Sequence, residues 1–250
     1  MIINKYLFNL NWLFLDKLIR GFGGIAITIF IARNIGPENF GVLSFAITIT
    51  AMFSFMSNLG LNSIVIREIT KDKKNSERLV ATTFYLKLIG AVVAFISGTA
   101  VIYFLKAEDS EIQFLVMLLL LGYVFQSMDA VDYFFQAKVL SKYVVISRNL
   151  AFFVSGGLKV LFVFLNLDVA YLAFAFVFDL ALSSLFMFLI YKKVSHFNGS
   201  WKLDHVLAKS LLKDSWPLML STFFIMLYMK VDQIMIEHFL DMERVGLYSV

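Results

Sequence analysis

The chain has 250 residues, 60% of them hydrophobic, with no cysteine and a formal net charge of +4. A mean hydropathy of +0.81 means more apolar surface than a water-soluble core of this size can hide, so the lipid bilayer is its natural solvent. The composition excludes disulfides, thiolate metal centres and cysteine nucleophiles, and the basic residues sit in short scattered loops that make no nucleic-acid surface.

Apolar stretches of membrane-crossing length, about 20 residues each, recur along the chain. They run Leu10–Ala32, Gly41–Leu61, Leu79–Leu105, Ile112–Phe135, Val144–Leu165, Val169–Tyr191 and Ser215–Ile236, and an eighth starts near Val245. The first lacks the short apolar region and small-residue cleavage site of a signal peptide, so it reads as a retained span. Gly21, Gly23 and Gly24 on that span predict either close helix packing or a bendable helix. On the third span Gly90, Ala94 and Gly98 form a small-residue face for close packing. The pattern predicts an all-α polytopic membrane protein.

Lysine and arginine gather in alternate loops. Arg67, Lys71, Lys73, Lys74 and Arg78 form one group, Lys138 and Lys142 the next, and Lys192, Lys193, Lys202, Lys209 and Lys213 the third. The intervening loops hold Arg33, Lys106 and Arg244. The positive-inside rule then places the basic loops and the N-terminus, with Lys5, in the cytoplasm of a bacterial inner membrane.

Ile31–Phe45 and Ile236–Val250 match without a gap at Ile31/Ile236, Glu38/Glu243, Gly41/Gly246 and Ser44/Ser249, an offset of 205 residues between paired numbers. Apolar residues coincide at Ile35/Leu240, Phe40/Val245 and Val42/Leu247, and Trp12 and Trp216 open the preceding apolar runs. The even number of spans between the copies predicts two parallel-oriented halves related by an axis along the membrane normal. Residues 1–195 read as a first six-helix lobe, 196–214 as a cytoplasmic linker and 215–250 as the start of a second lobe. The expectation is an N-terminal portion of a longer protein, unable to transport alone, with Lys230, Asp232 and Glu237 uncovered on the seventh span. The linker contains His196, Gly199, Ser200 and His205, and its Trp201–Lys213 part has amphipathic spacing at Leu203, Val206, Leu207 and Leu211.

Ionisable groups inside spans are expensive and face a cavity or a partner. Arg148 and Lys159 lie eleven residues apart on the fifth span, about three turns or roughly 16 Å, and share a stripe with Ser155 and Asn166. They read as a cationic cavity wall, with two alternatives: a Lys159–Asp179 structural pair and a snorkelling Arg148. Asp16 and Arg20 can pair along the first span, or Arg20 can exchange its carboxylate for a substrate phosphate. Gln126, Asp129, Tyr133 and Gln136, with Asp132 beside them, either meet the basic loops or hold a coupling ion. Lys230, Gln233 and Glu237 share a face of the seventh span, with Asp232 to one side, and form a second candidate for Na+ or H+ coupling. The three histidines lack metal-ligand spacing, and no G-x-S-x-G, H-E-x-x-H or phosphate-binding loop occurs. Neither catalysis nor a cofactor is expected.

The runs IARNIGPENFGVLSFAIT, NLGLNSIVIREITK, VDYFFQAK and SWPLMLSTFFIMLYMKVDQIMI resemble the Wzx-type polysaccharide flippases, the O-antigen and repeat-unit translocases of the MOP exporter superfamily. The resemblance covers essentially the whole chain. It implies a twelve-helix, two-lobed carrier that moves undecaprenyl-diphosphate-linked oligosaccharide across the inner membrane by alternating access coupled to an ion gradient. It also implies contact with membrane lipid and with other polysaccharide assembly proteins, and a cationic central cavity for which Arg20, Arg148 and Lys159 are the candidates here. Relatives on the same scaffold export drugs or the peptidoglycan precursor. A membrane-embedded polymerase or ligase is the alternative from another class, disfavoured by short, chemically plain periplasmic loops.

Overall fold

The computed structural model describes residues 2–195 and 201–249, with side chains from Leu7 onward. The Lys5 side chain, His196, Gly199, Ser200 and Val250 lie outside the described residues. Helices in chain order are α1 (Ile2–Ile35), α2 (Pro37–Met52), α3 (Ser54–Asn58), α4 (Leu61–Lys71), α5 (Ser76–Leu105), α6 (Ser110–Gln126), α7 (Asp129–Ala137), α8 (Ser141–Phe164), α9 (Val169–Val194), α10 (His205–Phe239) and α11 (Met242–Ser249). The described residues contain no strand, and the protein is an all-α polytopic membrane protein.

Local chemistry sets the boundaries. Gly36 takes a φ of 82° and hands over to Pro37 at the start of α2, where the missing proline N–H costs nothing. Asp109, Asp168 and Asp204 cap α6, α9 and α10, each accepting a backbone N–H of the first turn at 3.0 Å.

Among the described residues, five helical segments are long and apolar enough to cross a membrane: Ser76–Leu105, Ser110–Ala137, Ser141–Phe164, Val169–Val194 and His205–Phe239. This differs from the expected seven in two places. α1, 34 residues long, covers the first expected span but is not among these segments. The second expected span is not one straight helix. Pro37–Met52 and Ser54–Lys71 are bent by 44° and together make a sixth candidate. The helix between α3 and α4 breaks where Leu59 and Gly60 both enter the left-handed region, at φ 53° and 62°. α10 docks against that break. A Cβ on Gly60 would lie 2.7 Å from the Met219 nitrogen and 2.8 Å from the Ser215 oxygen.

The chain is helical across the expected boundary between linker and seventh span at 214/215. α10 runs unbroken from His205 to Phe239 with Pro217 inside it. Its first turns are pinned to the bundle by Arg67–Asp214 at 3.2 Å, by Arg78–Asp204 and by Trp201, whose ring lies 4.9 Å from that of Phe84.

The core has two apolar clusters. One joins Ile31, Leu43, Ala94, Leu120, Leu172 and Val245. The other joins Leu61, Val80, Phe134, Val144, Tyr191 and Leu211. α5 contributes to both, and its small-residue face packs as expected. Gly90 abuts the Met56 carbonyl, and a Cβ on Gly98 would meet Leu120 Cδ1 at 2.7 Å. On α1 only Gly23 is closely approached, by the Phe152 ring, while Gly21 and Gly24 face open space.

The most extensive helix pairing among the described residues is α2 with α11, and it joins the two copies of the repeat. A Cβ on Gly41 would collide with the Met242 carbonyl and stand 3.1 Å from the Gly246 nitrogen. A Cβ on Gly246 would collide with the Pro37 carbonyl and stand 3.0 Å from the Gly41 nitrogen. Met242 and Gly246 are the repeat equivalents of Pro37 and Gly41, so the crossing is reciprocal, a local pseudo-twofold contact.

Candidate functional site

A cavity of about 560 Å³ opens between the start of α4, α7, α8 and α10. α7 supplies its polar floor. Asp129, Asp132, Tyr133 and Gln136 recur at three- and four-residue spacing and so share one helical face. Arg148 comes from α8, and Ser221 and Thr222 from α10 close the opposite wall.

Two cations hold the two carboxylates. Arg148 Nη2 donates to Asp132 Oδ2 at 2.9 Å and reaches Asp129 Oδ1 at 3.5 Å. Gln136 Nε2 donates to Asp132 Oδ1 at 2.9 Å. From behind, Lys87 Nζ donates to Asn58 Oδ1 at 3.1 Å, Tyr133 Oη at 3.3 Å and Asp129 Oδ2 at 3.4 Å. Lys87 is fully buried, whereas the Arg148 side chain is 30% exposed. Asp129 is therefore shared by an inner lysine and an outer arginine. The guanidinium can exchange a carboxylate for a phosphate oxygen with similar fork geometry. Asp132 and Asp129 accept from Arg148 within the bundle, while part of its side chain stays exposed.

Lys87 and Asn58 were not among the expected site residues. The available signal was a lone lysine inside an apolar span. Its partners lie 29, 42 and 46 residues away, so no local spacing links them.

The other candidates fall elsewhere. Asp16 accepts from Asn149 Nδ2 on α8 at 2.9 Å. The expected Asp16–Arg20 pair is not among the described ion pairs, because Arg20 turns instead to the Phe152 ring, 6.0 Å from its centroid. The expected Lys159–Asp179 pair is not formed either. Ser155, one turn earlier on α8, donates to Asp179 at 2.9 Å, and Lys159 lies 3.6 Å over the centroid of Phe176. Arg148 and Lys159 thus belong to two different surroundings rather than one wall. Gln126 Oε1 is buried without a hydrogen-bond partner and does not join the α7 cluster.

On α10 two of the three expected uncovered charges, Asp232 and Glu237, find partners, and Lys230 takes part in none of the ion pairs among the described residues. Glu237 pairs with Lys106 of the α5 end, Asp232 accepts from the Tyr248 hydroxyl and Gln233 accepts from Thr48 on α2. The physical reason is that α10 and α11 pack on the first bundle through the repeat crossing. The opposite face of α10 is apolar and open, with Tyr228 84% exposed and Phe224 and Phe239 also exposed. No group of three histidine, aspartate or glutamate residues among the described residues could hold a metal ion.

No curated protein and no solved structure matches the chain. A family model described as polysaccharide biosynthesis protein matches residues 8–250. With several membrane-crossing apolar helices and a buried cationic network opening on a cavity, the chain belongs to the polysaccharide biosynthesis protein family.

Proposed function

We propose that the protein translocates undecaprenyl-diphosphate-linked oligosaccharide across a bacterial inner membrane, with its N-terminus and basic loops in the cytoplasm. The observation that carries this reading is the cavity between α7, α8 and α10, lined by a partly exposed Arg148 that is paired with Asp132 and Asp129. In the proposed orientation that cavity lies in the cytoplasmic half of the membrane, where a substrate made in the cytoplasm enters. The diphosphate takes the Arg148 fork, and Lys87 keeps Asp129 neutralised while Arg148 is engaged. Polar Asn62, Ser221 and Thr222 offer hydrogen bonds to the first sugar.

Movement follows from the repeat. Two similar lobes rocking about a shared contact alternate access to a site between them, and the α2–α11 crossing is the most extensive contact between the proposed lobes. Residues 1–195 form the first lobe and 215–250 begin the second, with α10 tied to the first at both ends. Glu237, Asp232 and Lys230 are the candidates for coupling to a Na+ or H+ gradient.

The experiment is transport in proteoliposomes loaded with undecaprenyl-diphosphate-linked glycan. Movement of the glycan to the other leaflet at unchanged chain length supports the reading. Growth of the glycan chain would point to a polymerase or ligase. Movement of drugs or of the peptidoglycan precursor in its place would assign another exporter activity.

A further inference from the structure

We propose that the outer stripe of α10 around Trp216 docks on anionic phospholipid headgroups, with Lys209 and Lys213 as the cations that hold their phosphates. The first turns of α10 sort their charges by partner. Asp204 and Asp214 pair with Arg78 and Arg67 of the bundle. Ala208, Leu211 and Ser215 are buried beside them. At about 100° per residue, Lys209, Lys213, Trp216, Leu220 and Phe224 fall on a second stripe that faces away from those three. All five are exposed, Trp216 by 56%.

Lys209 and Lys213 take part in none of the ion pairs among the described residues. The bundle thus takes up both carboxylates of this arm and leaves two cations on its outer side. Residues four apart on a helix stand about 5–6 Å from each other, so both ammonium groups reach one phosphate or two adjacent ones. Along the stripe the chemistry changes in order, from basic at Lys209 and Lys213, through the indole of Trp216, to apolar at Leu220 and Phe224. An acidic phospholipid presents the matching order of phosphate, interface and acyl chain.

Length puts the stripe at the right depth. α10 has 35 residues and is about 52 Å long, against a hydrocarbon core of about 30 Å. Roughly 20 Å of it therefore stands outside that core. With Trp216 at the interface, where indole rings settle, Lys213 lies about 4.5 Å and Lys209 about 10 Å further out along the axis. The headgroup layer is about 5–7 Å deep on each side, and the flexible lysine stems reach back into it. Because Asp204 and Asp214 tie the same arm to α5 and α4, a headgroup held there also fixes the depth of that end of the bundle. The site concerns whichever leaflet this end of α10 meets and does not rest on the function proposed above.

The chain has no cysteine, so a fluorophore on Leu212→Cys, exposed beside the stripe, is a single label. Its quenching is followed in nanodiscs by phosphatidylglycerol or phosphatidylcholine carrying a nitroxide at the same chain position. Phosphatidylglycerol is expected to quench at the lower mole fraction, by about fivefold for each lysine engaged. Lys209→Gln and Lys213→Gln should each lose about fivefold of that preference, and rising salt should weaken it. Lys209→Arg and Lys213→Arg should keep it, and Lys74→Gln, which removes an exposed charge of the α4–α5 loop, should leave it unchanged. Equal quenching by the two lipids, or none by either, overturns the proposal. So does a loss with Lys74→Gln as large as that with Lys213→Gln, which would assign the attraction to net charge rather than to the stripe.

Discussion

Asp129 sits between two cations with different freedom. Lys87 is fully buried and Arg148 is partly exposed, so removing them has different consequences. Lys87→Met leaves a carboxylate inside the bundle with one partner at 3.5 Å. Breaking a buried pair from one side costs about 3–5 kcal/mol. Thermal unfolding in detergent should show that loss, and Lys87→Met with Asp129→Asn should recover most of it. Arg148→Gln strips Asp132, 4% exposed, of its cation. The transport loss of about tenfold or more expected from a lost charged hydrogen bond is therefore read with Arg148→Gln combined with Asp132→Asn, which should insert and fold and still transport slowly. Lys159 is held by a ring rather than by Asp179. If Lys159→Ala impairs transport, adding Asp179→Ala should therefore fail to restore it, and restoration would show that the pair forms in the working protein.

At the scale of elements, the α2–α11 crossing depends on two glycines. A methyl group at Gly41 meets backbone of α11, which cannot rotate away as a side chain can. Gly41→Ala should cost about 1–3 kcal/mol by overpacking, read as a lower melting temperature and faster proteolysis at α11. The repeat that carries these glycines was legible in the sequence because both copies keep the same spacing. The break between α3 and α4 was not. Leu59 and Gly60 lie between Asn58 and Asn62 at the end of the expected span, and the docking of α10 at Met219 and Ser215 shows what the left-handed turn accommodates. The continuity of α10 was hidden for the opposite reason. Pro217 and the charges before it resemble a helix start, yet Asp204 supplies the cap and Arg67 holds Asp214. The lone charges inside spans were legible as costly, but partners such as Asn149 for Asp16 come from packing between α1 and α8, which no spacing encodes.

Across the whole molecule, charge separates toward two ends. Arg67, Arg78, Asp204 and Asp214 meet at one, and Lys106 and Glu237 pair at the other. If the first end is cytoplasmic, a cysteine at exposed Asn39 reacts with an impermeant thiol reagent from the periplasm and one at exposed Asn75 does not. The opposite labelling would invert the orientation. The central claim is that this family member moves a lipid-linked glycan rather than modifying it. The most direct measurement reconstitutes the full polypeptide in proteoliposomes with undecaprenyl-diphosphate-linked glycan on one leaflet and follows accessibility of the sugar to a lectin on the other side. The account predicts time-dependent exposure at constant glycan length, slowed by Arg148→Gln combined with Asp132→Asn. No exposure above protein-free liposomes, or exposure indifferent to Arg148, would contradict it.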